Sequence, residues 1–98
     1  MDSYNKLINS KKIVIIYFYS DECLKTSNIL NKLEHNLNGK NVLIAKYNVD
    51  EPYTKTLIER LDIKSYPFFY IYKNGILIDQ ILGILDNIEN ILNLYINI

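Results

Sequence analysis

The chain has 98 residues, 49% of them apolar, and its eleven basic and eleven acidic side chains cancel. A chain of that length makes one domain, residues 1–98, able to bury about two-thirds of the surface its unfolded form exposes. Balanced charge removes the basic stripe that nucleic-acid binding needs, and the longest apolar run is far too short to span a bilayer, so neither a polyanion nor a membrane is an expected partner.

The opening segment, MDSYNKLINSKK, has an acid at its second position and no apolar stretch of signal-peptide length. Cys23 is the single cysteine and His35 the single histidine. One thiol cannot close an internal disulfide, and one Cys with one His cannot build a metal centre. A reducing, cytoplasmic setting is the expectation, with no metal and no bound cofactor.

Tyr4, Leu7 and Ile8 share a helical face behind a cap at Asp2 or Ser3, which predicts a short helix over 3–9. Residues 13–19, IVIIYFY, are apolar on both faces and rich in β-branched and aromatic types, the pattern of a central strand covered on both sides. Beyond Cys23 the period changes: Ile29, Leu30, Leu33 and Leu37 predict a helix over 23–38, stopped by Gly39. Residues 42–49 form a second strand, parallel to the first across a βαβ crossover. Leu57, Ile58 and Leu61 mark a helix beginning near Pro52. Asn74-Gly75 separates strands at 68–72 and 76–82, the strongest short hairpin signal in the chain. Ile84, Ile88, Ile91, Leu92 and Tyr95 give a closing amphipathic helix after Gly83. The predicted order is αβαβαββα.

That order, with a cysteine between the first core strand and the long helix, resembles the thioredoxin fold, and the local sequence agrees. IVIIYFYSDECLKT is similar to the thioredoxin strand and active-site loop, IAKYNVDE to the following strand, LDIKSYP to the approach to the cis-proline, and FFYIYKNGILIDQILG to the terminal hairpin. The resemblance implies an α/β thioredoxin fold over about residues 11–96. Too few residues precede the first core strand for the family's extra N-terminal strand, so a four-stranded mixed sheet is expected, with 42–49 at one edge. An open edge there invites a weak homodimer or burial under the N-terminal helix.

The departures concern chemistry. The motif is CLKT, with Thr26 where the family has its second cysteine, Glu22 where it has tryptophan, and Leu24 and Lys25 where it has Gly-Pro. The family's buried aspartate falls at Tyr17, while the lysine beside it is retained as Lys46, expected to bond Tyr17. Pro67 matches the cis-proline facing the cysteine, and the Tyr66 backbone is implied to pair with a bound partner strand. Cys23 at a helix N-terminus, with Lys25 near, is favoured as thiolate, whereas Asp21 and Glu22 oppose by repulsion and by competing for the same N–H groups. A moderately reactive, exposed thiol follows, with Thr26 donating its hydroxyl to the sulfur.

By burial tendency alone a lone cysteine is more often a small core residue. Its position at the family's nucleophile points instead to a one-cysteine protein forming reversible mixed disulfides with a protein thiol or disulfide, or with glutathione as thiol donor. With no second thiol it is not expected to be a full disulfide reductase, and enzymatic turnover stays open. The alternative is a redox-inactive binding or scaffold module. A monothiol iron–sulfur carrier is disfavoured because CLKT lacks a glycine beside the cysteine. His35, about three turns from Cys23, is expected at the helix end without a catalytic part.

Overall fold

The computed structural model describes residues 2–37, 40–83 and 87–97. Strand β1 (Ile13–Tyr19) pairs in parallel with β2 (Val42–Asn48) from Ile13↔Val42 to Tyr19↔Asn48, and antiparallel with β3 (Phe68–Lys73) from Ile13↔Lys73 to Phe18↔Phe68. β4 (Ile76–Leu82) returns antiparallel to β3, with a register shift at Ile71/Tyr72. The four strands lie in the order β2-β1-β3-β4. This is the expected four-stranded mixed sheet with β2 at an edge.

Helices α1 (Asp2–Ile8), α2 (Leu24–His35), α3 (Lys55–Leu61) and α4 (Ile88–Ile96) cover the sheet, and a 3-10 turn at Pro52–Thr54 leads into α3. The two-sided apolar run of β1 explains the layering, because alternate residues of a strand point to opposite faces. Ile13, Ile15 and Tyr17 join Leu30 and Leu33 of α2 and Leu92 of α4 in one core. Val14, Ile16 and Phe18 join Tyr4 and Ile8 of α1, with Leu57 and Leu61 of α3 packed alongside, in the other. Six of the seven β1 residues are buried, so one strand organises both cores.

The end of the second helix differs most from the periodicity. The second helix ends at His35 rather than 38, since the N–H groups of Asn36 and Leu37 turn back to the carbonyls of Leu33 and Glu34 and close the last turn tightly. The expected stop at Gly39, and Ile84 of the closing helix, lie outside the described residues. The hairpin is as predicted, with Asn74 at φ 52° and Gly75 at φ 81°, the pair of positive angles a two-residue connection requires.

The pairing gathers four connections at one end of the sheet. The C-terminal ends of β1, β2 and β4 and the N-terminal end of β3 coincide there, as Tyr19↔Asn48, Phe18↔Phe68 and Phe68↔Leu82 show. The loop carrying Cys23 and the turn carrying Pro67 therefore emerge together. At β2, the α1 residue Tyr4 packs 6.4 Å from the ring of Tyr47 and hydrogen bonds the Tyr72 hydroxyl at 2.8 Å. Tyr4 thus covers a face of the sheet rather than the edge of β2.

Candidate functional site at Cys23

Cys23 is the N-cap of α2. Its N–H donates to the Ser20 carbonyl (3.0 Å), closing a turn directly after β1, and its own carbonyl accepts the Ser27 N–H (3.0 Å), the first bond of the helix. No side chain caps the N–H groups of that first turn. Asp21 and Glu22, expected to compete for them, do not: the Asp21 carboxylate accepts from the Asn48 side-chain amide at 2.8 Å, and its N–H donates to Asp50 at 3.0 Å. Asp21 ties the site loop to the end of β2, and Glu22 and Lys25 are exposed.

The expected exposure of the thiol is corrected. Cys23 is only 7% accessible, whereas the next residue, Leu24, is 70% accessible. The Ser20–Cys23 turn draws the cysteine under the loop and swings Leu24 outward. The hydroxyl that meets the sulfur is also not the expected one. Ser20 Oγ lies 3.6 Å from Cys23 Sγ, while Thr26, 2% accessible, belongs with Leu30 and Leu33 to the face of α2 that enters the core.

Cys23 opens sideways onto a cavity of about 310 Å³, whose walls include Ser20, Ser27, Asn31, Lys46 and Asn48. Sequence reasoning missed Ser20, Ser27 and Asn31. A signal existed for two of them, because 23, 27 and 31 repeat every four residues along one helical face, beside the face of 26, 30 and 33.

Lys46 and Tyr17 are register partners on adjacent strands, yet they do not bond as expected. Lys46 reaches α2 instead, donating to Asn31 Oδ1 at 2.8 Å and forming an ion pair with Glu34. Tyr17 is fully buried between Tyr19 and Phe69, with ring centroids at 5.0 and 4.9 Å. Its hydroxyl donates to the Cys23 carbonyl (3.4 Å) and lies 3.2 Å from Ser27 Oγ. Burial pushes its phenol up to about 12; the Ser27 hydrogen bond pulls the other way, and charge on Cys23 would add to the rise. Where the family pattern has a carboxylate below the site, this chain has a neutral hydroxyl fastened to the backbone of Cys23.

The Tyr66–Pro67 peptide bond is cis. Pro67 is buried and its carbonyl accepts the Gly83 N–H at 2.9 Å, which anchors the turn to the end of β4, whereas Tyr66 is 37% accessible. His35 is exposed at the end of α2, away from the cavity walls. Among the described residues no group of His, Cys, Asp and Glu could hold a metal ion, and no helix is long and apolar enough to cross a membrane.

Comparison with known proteins agrees with this geometry. The sequence model of the thioredoxin family, described as Thioredoxin, matches residues 1–94. The chain is 35% identical to a thioredoxin of Coprinus comatus over 86 residues, which cover 85% of this chain and 79% of that one. Its fold is similar to the oxidised thioredoxin of Plasmodium falciparum, with TM-score 0.73, 26% identity and coverage of 98% and 92% of the two chains. It is also similar in fold to mitochondrial thioredoxin 3 of Saccharomyces cerevisiae, with TM-score 0.77, 24% identity and coverage of 98% and 87%. Family and fold support a thiol–disulfide redox function, and the chain belongs to the thioredoxin family.

Proposed function

We propose that the chain is a one-cysteine thioredoxin-like protein in which Cys23 forms reversible mixed disulfides. The observation that carries this is the placement of the sole thiol at the N-cap residue of α2 and at the wall of a cavity, with a buried threonine in place of a second thiol.

The thiolate of Cys23 attacks one sulfur of a partner disulfide, the Cys23–S–S–R bond forms as the R–S–S–R′ bond breaks, and R′–S⁻ leaves. Thr26 has no sulfur with which to attack that bond. An outside thiol, from a protein or from glutathione, displaces Cys23 and carries away the new disulfide, so the protein transfers a thiol group rather than reducing in full. Tyr17 is consistent with this, since its neutral hydroxyl holds the Cys23 backbone and no resolving thiol requires a buried base. On this reading the exposed Glu22, Leu24, Lys25 and Tyr66 receive the partner, with the buried Pro67 fixing the turn that carries Tyr66.

A second use of the same surface is favoured by the low accessibility of Cys23: a binding module that keeps the groove without the chemistry. Incubation of the folded protein with glutathione disulfide, followed by intact-mass measurement, separates the two. Redox function predicts one glutathione per chain, removed by a reductant and absent in Cys23→Ser. A folded chain that stays unmodified while the denatured chain is modified supports the binding module.

A further inference from the structure

Two strand edges of this sheet are candidates for pairing, and the structure closes one of them. On β4, the Gly83 N–H bonds the Pro67 carbonyl, so by strand alternation Asp79 and Ile81 turn their backbone groups to β3 and Gln80 turns its own outward. The Gln80 N–H is already taken by Asp79 Oδ1 at 2.8 Å, and the irregularity at Ile71/Tyr72 disrupts the strand before it. Bulges and filled amides are the devices that keep an edge from adding a strand.

Among the described residues, β2 has neither along most of its length. Ile13 N–H donates to the Asn41 carbonyl (3.2 Å) and Val49 N–H to the Tyr19 carbonyl (2.8 Å). These bonds fix the odd residues of β2 toward β1, and alternation turns the N–H and C=O of Val42, Ile44 and Lys46 outward. Among the described residues only the Asn48 end is closed, where its carbonyl accepts from Thr54 Oγ1 (3.0 Å) and Glu51 N–H (3.1 Å). A lysine on an edge strand ordinarily guards it with a free charge. Lys46 does not, because its ammonium is turned onto α2 and paired with Glu34 and Asn31. The side chains of Val42 and Ile44 are buried, so the outermost feature here is bare backbone.

We propose that two copies of the chain associate through this edge, pairing residues 42–46 antiparallel about a two-fold axis at Ile44. The arrangement sets Val42 against Lys46 of the second copy and Ile44 against Ile44, forming about six backbone hydrogen bonds. No like charges face one another across it, and a chain whose eleven basic and eleven acidic residues cancel has no net charge to hold copies apart. Lys46 also lines the Cys23 cavity, but the paired groups are backbone N–H and C=O, so the proposal does not rest on the reactivity of the cysteine.

Amide hydrogen exchange of the unmodified chain, read at about 10 μM and about 1 mM, spans the range over which a contact of this size assembles. Protection of Val42, Ile44 and Lys46 should increase several-fold with concentration while Gln80 is unchanged, and sedimentation should show mass rising toward the dimer. Lys46→Pro, which removes one outward N–H and no bond to β1, should hold the mass at the monomer. Lys46→Ala, which keeps that N–H, should still dimerise. A monomer at both concentrations with unchanged edge exchange would overturn the proposal. So would a dimer protected at β4, or one that survives in a folded Lys46→Pro chain.

Discussion

The hydroxyl of Tyr17 donates to the carbonyl of Cys23 across 3.4 Å, from the central strand to the N-cap of the long helix. It is the direct polar tie between the buried sheet and the cysteine, and the Ser27 hydroxyl at 3.2 Å shares it. Removing the oxygen alone, in Tyr17→Phe, should cost about 1 kcal/mol, the net worth of a hydrogen bond, because the aromatic stack with Tyr19 and Phe69 persists. Tyr17→Asp, which restores the family's residue type, should cost about 4 kcal/mol or more through a cavity and a buried carboxyl together. Urea unfolding of both variants measures the difference.

Alkaline pH should expose the same residue. A tyrosine in the unfolded chain ionises near about 10, whereas burial pushes Tyr17 up to about 12 in the folded chain, so the folded form holds its proton longer. The stabilisation is full below about pH 10 and is lost as pH rises through about 12. Burial and the hydrogen bond to Tyr72 also raise Tyr4, in the same direction. The urea midpoint should fall steeply above about pH 10, and less steeply in Tyr17→Phe. Equal slopes for the two proteins would remove Tyr17 from the account.

At the hairpin, Gly75→Ala meets two obstacles: a φ of 81°, and the Asn9 side-chain oxygen against the new Cβ. Asn9 is an exposed side chain able to swing away, so the backbone angle dominates and the cost should be about 1–2 kcal/mol. Asn9→Ala in the same chain should recover little of it. Thermal unfolding of the single and double variants tests which obstacle matters.

The two-sided strand β1 and the Asn74-Gly75 turn were legible in the sequence because each rests on local pattern: apolar residues on both strand faces, and a turn that needs two positive φ angles. The surroundings of Cys23 were less so. Tyr17 and Lys46 are register neighbours, but strand pairing fixes backbones and not where long side chains go; Lys46 crosses to α2, where Glu34 offers a charge, and Tyr17 turns into the core. Burial of Cys23 was hidden because helical periodicity starts at Leu24 and says nothing of the turn before it.

Thr26→Cys supplies the missing thiol three residues after Cys23. The protein as it stands should fail to sustain insulin reduction with thioredoxin reductase and NADPH, since no second thiol releases the partner. The variant should form an internal disulfide on oxidation, read as the loss of two hydrogens from the intact mass, and should gain turnover. Sustained reduction by the unmodified chain would contradict the one-cysteine mechanism.

The central claim is that Cys23 is a working thiol although it is 7% accessible, and its alkylation rate against pH, folded and in denaturant, tests that most directly. The account predicts that the folded chain reacts at neutral pH at least as fast as the unfolded one, because the cysteine lines a cavity that admits the reagent. A folded rate well below the unfolded rate at every pH would contradict it and leave the cysteine as a core residue beneath a binding surface.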